Sequence, residues 1–259
     1  MTSPTSHDAQ RVSREAEIYD NDELERDRLE AVMAYTQMGP ARRRRDELIR
    51  AVHTRHTNTR VLEVGSQAWE AHYLKWNLKP TQLTCINISD RELDKGRQVA
   101  EAKGLPVEFK LMDAHELQFP DATFDLVFGT AILHHLEFER AVKEIARVTK
   151  PGGEILFVEP LLLNPVARLV RALTPKARTP DEKPLAREEL DILDRYFAPK
   201  HLYTDLFAFP AAVVSKAVRA RPSNWMVNAA DRFDAAIASS MPSLGAYYRT
   251  VTVHGTRRV

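Results

Sequence analysis

The hydrophobic pattern changes character near Arg60. From there on, short apolar runs alternate with longer stretches whose apolar side chains recur at helical spacing, the alternation that βαβ units around a parallel sheet produce. Residues 61–64 predict a first strand, about 68–76 a helix and 83–88 a second strand. Ser89 and Glu92 have the S-x-x-E spacing of a capping box and open a helix that Gly104 and Pro106 end. Strands follow at 107–112 and 124–128, then a helix over 137–149 that stops at Pro151-Gly152-Gly153, then a fifth strand at 154–158.

Beyond the fifth strand the pattern turns helical again. Asn164-Pro165 reads as an N-cap followed by proline at the first helical position, 174–184 as a long proline-rich loop and 188–197 as a helix. Strand-like segments at 202–209 and 249–256 flank a helical insertion with Trp225, Met226 and Phe233. Upstream, residues 1–10 read as a disordered polar tail and 11–56 as charged, helix-prone segments broken at Gly39-Pro40, placed over the strand ends as a lid. One α/β domain over 57–259 results, with insertions at about 161–199 and 211–245.

Composition narrows the partners. Lys plus Arg number 37 against 36 Asp plus Glu, a net charge of +1, so no global field draws the chain to nucleic acid or an anionic membrane. The run Arg42-Arg43-Arg44-Arg45 lies among acidic residues and reads as a solvated helix face. The first residues lack an apolar leader and no stretch is long enough to span a bilayer. Cys85 alone, in an apolar run, reads as a small buried hydrophobe. The expectation is a cytoplasmic protein acting on a small molecule, without nucleic acid or membrane as partner, with a homodimer as candidate assembly.

Four segments in order carry chemistry: VLEVG at 61–65, INISDREL at 86–93, MDAHELQFPDATFDLVFGTAILHHL at 112–136 and KPGGEILFVEP at 150–160. Together they resemble class I S-adenosylmethionine-dependent methyltransferases, particularly the branch that modifies small metabolites. The resemblance implies a Rossmann-like three-layer α/β sandwich, its seven-stranded, mostly parallel sheet ending in an antiparallel strand. It implies S-adenosylmethionine bound across the carboxyl ends of the first strands. That place also follows from the switch-point rule for open α/β sheets.

The resemblance assigns cofactor roles to Glu63, Gly65 and Ser66 in the turn after the first strand, to Asn87 and Ile88 after the second, to Asp113 and Ala114 after the third, and to Gly129 with Thr130 after the fourth. Tyr19 is placed to close over the cofactor. Only the first glycine of the family's (D/E)-x-G-x-G-x-G turn is kept, with Gln67 and Trp69 in the later positions. Asn87 stands where the family has a carboxylate for the ribose hydroxyls; an amide accepts such bonds without charge, and the same residue can instead cap the turn. Asp113 matches the adenine position. His134 and His135 are the candidate general bases, with one of them alternatively buried and hydrogen-bonded. Glu159 can orient an amine or hydroxyl substrate or cap the following helix. Arg168, Arg171 and Arg178 can meet an anionic substrate or cover surface. The pattern singles out no metal ligands. The altered turn leaves two rival readings: non-methylating chemistry on this fold, such as cyclisation or rearrangement, and a non-catalytic subunit that has lost the cofactor.

Overall fold

The computed structural model describes residues 40–173, 182–222 and 224–258. The predicted tail, the helices before Pro40, Tyr19, Arg178 and most of the proline-rich loop lie outside the described residues. The elements are α1 (Pro40–Arg55), β1 (Arg60–Val64), α2 (Trp69–Leu74), β2 (Gln82–Asn87), α3 (Asp90–Ala102), β3 (Val107–Leu111), β4 (Phe124–Thr130), α4 (Phe138–Val148), β5 (Thr149–Pro160), α5 (Pro165–Leu173), α6 (Arg187–Tyr196), β6 (Phe197–Thr204), α7 (Ala208–Ala217), α8 (Trp225–Ser240) and β7 (Thr250–Arg257). Short 3-10 turns stand at Leu133–His135 and Pro242–Tyr247.

The sheet has seven strands in the order β3-β2-β1-β4-β5-β7-β6, parallel except for β7, which runs antiparallel to both neighbours. Because β1 goes outward to β2 on one side and β4 lies on the other, the strand order reverses between β1 and β4.

Alternation along each strand sends side chains to two cores. Leu62, Val64, Val127, Ile155 and Phe157 pack with α4 and α6 through Val142, Ile145, Leu190 and Leu193. Val61, Leu83, Cys85, Leu126 and Phe128 pack on the other face with Ile49 and Val52 of α1, Trp69 of α2 and Ala100 of α3. Burial on both faces explains why these strands read as nearly continuous apolar runs. The helix α1 therefore belongs to a core layer. Cys85 is buried, as its apolar setting predicts.

That second core encloses a pair of histidines. His53 Nε2 and His72 Nδ1 are 3.0 Å apart, and His72 stacks on Phe128 with ring centroids 4.1 Å apart. Burial lowers His53 to about 4 and His72 well below its ordinary value, so both are neutral and one donates to the other.

Three expectations need correction. The sixth strand is Phe197–Thr204, not 202–209. Pro199 is accommodated because β6 is the edge strand, where proline costs no ladder bond, and the strand ends where Asp205 takes φ +72°. The Pro151-Gly152-Gly153 stop lies inside β5, as an irregularity between the pairs Phe124–Thr149 and Leu126–Glu154. The tetra-arginine run is only partly a solvated face: Arg42 pairs with Asp46 at 2.9 Å and Arg44 with the buried Asp231 at 3.0 Å.

The helical insertion before β7 is tied down by one carboxylate. Asp234, fully buried on α8, accepts from the backbone amides of Leu206, Phe207 and Ala208 at 2.8–3.0 Å, and its own carbonyl accepts from the Tyr248 hydroxyl. It thus caps α7 from outside, because Phe207 at the N-cap has no side-chain acceptor. Burial pushes the Asp234 carboxyl up to about 6. Asp234→Ala should lower unfolding stability by about 3 kcal/mol in denaturant titration, the scale of buried donors left without partners. A change within about 0.5 kcal/mol, the usual range for unconstrained surface sites, would show that the joint does not depend on this carboxylate.

Candidate functional site

The turn after β1 is built from five residues with little glycine. Gly65 adopts φ +105° and Ser66 φ +53°, so the left-handed conformation falls on a serine, at a cost on the order of 1–2 kcal/mol. Gln67 stays outside that region. Trp69, the residue in the family's third glycine position, turns inward: it is 3% exposed and meets the Phe109 ring edge-on at 5.6 Å. A buried indole thereby starts α2 and anchors the turn from below.

Glu63 completes this turn from behind. Its Oε1 accepts from the amides of Ala68 at 2.5 Å and Trp69 at 3.1 Å, the first helical donors, which Ala68 itself cannot cap. Burial pushes its carboxyl up to about 7, against the lowering effect of those amides. Glu63 shapes the loop and does not line the cleft.

Asn87 stitches the turn to the end of β2. Its Nδ2 donates to the Gly65 carbonyl at 2.7 Å and to Ser66 Oγ at 3.0 Å, and its Oδ1 accepts from Ser89 N at 2.9 Å. These bonds favour the turn-cap reading. They also modify the predicted capping box. Ser89 Oγ accepts from Glu92 N, but Ser89 N is taken by Asn87, so Glu92 does not need to fold back. Its carboxylate reaches Lys95 at 2.6 Å and the wall of the cleft.

The turn after β4 supplies the other wall. Ala131 takes φ +53°, and Ile132 lies over both Gly65 and Gly129: a Cβ on Gly65 would meet Ile132 at 3.2 Å, and one on Gly129 would meet Ile132 at 2.7 Å and the Val64 carbonyl at 2.8 Å. Glu159, at the end of β5 and fully buried, holds this turn. Its Oε1 accepts from Ile132 N at 3.0 Å and Leu133 N at 2.9 Å, and its Oε2 lies 2.8 Å from His134 Nδ1. Glu159 is therefore a positioning residue; it caps the turn after β4 rather than the helix after β5, whose cap is Asn164 Oδ1 on Ala167 N.

Between the two turns, at the reversal of strand order, opens a cleft, where open α/β sheets bind their ligands. Of the residues assigned from sequence it gathers Gly65, Asn87, Ile88, Thr130 and His135. Ser66 and Gly129 stand behind its walls. Asp113 is turned toward His115, whose amide and Nδ1 both meet Asp113 Oδ1, and Ala114 is buried in the core. Arg171 pairs with Glu182 at 2.8 Å. The wall residues Gln67, Ser89, Glu92, Ala131 and Ile132 carry no site assignment in the sequence reading; the Asn87-to-Glu92 spacing was the only available signal.

A seven-stranded sheet of this order, with an antiparallel seventh strand and a cleft at its switch point, defines the Rossmann-like methyltransferase fold. The comparisons agree. Residues 62–157 match the family described as "Methyltransferase domain". The phosphatidylethanolamine N-methyltransferase of Cereibacter sphaeroides is 38% identical over 128 residues, 48% of this chain and 62% of that protein. Among solved structures, the N-methyltransferase NodS from Bradyrhizobium japonicum WM9 in complex with S-adenosyl-l-homocysteine superposes with a TM-score of 0.53 at 13% identity, covering 85% of this chain and 89% of that one. The [4+2]-cyclase SpnF gives 0.54 at 22% identity, covering 83% and 82%. The chain spans less than two thirds of the length of the first curated relatives it matches. Over residues 62–157 the chain is thus similar to methyltransferase domains, and it shares the fold of methyltransferase structures.

The buried Glu63 titrates with a definite sign. Its folded pKa of about 7 lies above the ordinary 4.5, so its contribution to stability is present below pH 4.5 and is lost as pH rises toward 7. Relative to wild type, the Glu63→Gln protein should gain about 3 kcal/mol in unfolding stability between pH 4.5 and pH 7, while the amide oxygen keeps both backbone bonds. A difference independent of pH, measured by denaturant midpoints, would mean that Glu63 is ionised throughout.

Proposed function

We propose that this protein transfers a methyl group from S-adenosylmethionine to an oxygen, nitrogen or carbon nucleophile of a small metabolite. One observation carries the reading: the cleft lies at the switch point of the sheet, between the turns after β1 and β4, and Gly65, Asn87, Ile88 and Glu92 line it. The carboxyl ends of the strands at such a switch point are where a nucleoside cofactor binds in open α/β sheets, and Gly65, at φ +105°, forms the turn there without a side chain.

When bound, the cofactor supplies a methyl group already activated on a sulfonium, which leaves proximity and orientation to the protein. Gly65 and Ser66 present the turn, and Ile88 and Ile132 give apolar walls. Glu92 provides the carboxylate for the ribose hydroxyls that Asn87 lacks, while Asn87 holds the turn in place. Asp113 and Ala114 are assigned to the adenine end, and Gly129 and Thr130 to the methionine end. His134 and His135 stand on the acceptor side, where the acceptor's proton is handled, and Glu159 positions them. Tyr19 and the segment before Pro40 are assigned to a covering lid over the α/β domain on sequence grounds. The balanced charge supports a metabolite over nucleic acid as acceptor, and we place the reaction in the cytoplasm.

Calorimetric titration with S-adenosylmethionine should show saturable binding. Glu92→Gln should weaken it about tenfold, the value of one charge-assisted bond. Asn87→Asp, which restores the family's carboxylate, should weaken binding too, because it replaces the donor to the Gly65 carbonyl with an acceptor. No binding to folded protein would defeat the proposal, and binding without methylated product across a metabolite panel would favour cyclisation or rearrangement chemistry. Tighter binding by Asn87→Asp would return the ribose contact to Asn87.

A further inference from the structure

At the cleft wall, His134 and His135 converge with a third side chain, Glu182, to which the methyl-transfer reading assigns no role. His134 and His135 sit side by side on the 3-10 turn, their ring centroids 4.1 Å apart, and both are buried. Glu182 arrives from the chain that follows α5. One donor atom from each of the three lies within 4.8 Å of the others, and His134 Nε2 is 4.0 Å from Glu182 Oε1.

The surroundings are those of a ligand set. A histidine that binds a metal through one nitrogen commonly has the other fixed by a carboxylate, and a ligating carboxylate is itself hydrogen-bonded. Both supports are present. Glu159 Oε2 holds His134 Nδ1 at 2.8 Å, which turns Nε2 toward Glu182. Both guanidinium nitrogens of Arg171 donate to Glu182 Oε1, which fixes the carboxylate beside the two imidazoles. The backbone joins the two segments as well, since Lys183 N donates to the His134 carbonyl at 2.9 Å.

We propose that His134, His135 and Glu182 form a binding site for a divalent transition metal. Two imidazoles and one carboxylate suit zinc, cobalt, nickel or iron(II), whereas magnesium and calcium prefer all-oxygen sets. Three protein ligands leave coordination positions open. Because His135 also lines the cleft, an open position is available to an oxygen or nitrogen of the acceptor beside the methyl donor. Coordination there would ease loss of the acceptor's proton. In this role, which rests on the methyl-transfer reading, the histidines would act as ligands, the metal would lower the acceptor's pKa, and the released proton would pass to water at the open side of the cleft. The existence of the site does not depend on that reading.

The test uses the full-length chain without an affinity tag, stripped with a chelator, dialysed and titrated with cobalt(II). The expected result is one equivalent bound, with visible d–d absorption, displaced by zinc. His135→Ala and Glu182→Gln should each weaken binding at least about tenfold, and Glu159→Gln about tenfold through the orientation of His134, with unchanged circular dichroism as the check on folding. No saturable one-to-one binding by the stripped wild-type protein would overturn the proposal, whatever the variants do. So would binding that neither ligand variant weakens. The titration contains no cofactor, so its failure leaves the methyl-transfer reading standing, and failure to bind S-adenosylmethionine leaves the metal site standing.

Discussion

Glu159 is the constraint on which the working end of the molecule depends. A fully buried carboxylate needs donors on both oxygens, and here the amides of Ile132 and Leu133 and the ring of His134 supply them. The turn after β4 is thereby fixed to the end of β5. Ile132 is seated over Gly65 and Gly129, His135 faces the cleft, and His134 is oriented toward Glu182. The turn that carries Ile132, His134 and His135 is thus held by one side chain that does not itself line the cleft.

The turn after β1 shows how a chain can dispense with glycines. The left-handed position moves to Ser66, and its cost is offset by a buried tryptophan at 69, two amide bonds to Glu63 and the stitch from Asn87. Asn87 cannot be read as a weakened carboxylate: its amide donor is what the turn requires. Once Asn87 occupies the Ser89 amide, Glu92 is released from the capping box to face the cleft.

Much of the fold was legible along the chain because strands buried on both faces write long apolar runs and helices write their own spacing. Val61 to Val64, Asn164-Pro165 and the buried Cys85 are of this kind. Element ends that depend on neighbours were less legible. Pro151-Gly152-Gly153 looks like a stop until Thr149 is seen to pair with Phe124 before it and Glu154 with Leu126 after it.

By itself, the sequence determined the α/β class, which local patterning writes along the chain, while the strand order and the neighbourhood of Gly65, Asn87 and His135 came from its resemblance to methyltransferases. Only the tertiary structure decided what each side chain does there. Trp69 proved to be core, Glu159 a turn anchor and Glu92 a cleft residue, because burial and hydrogen-bond partners come from segments far apart in the chain. Glu182 illustrates the reason most plainly: nothing in its local sequence relates it to His134 and His135, and only the return of the chain over the ends of β4 and β5 brings the three together.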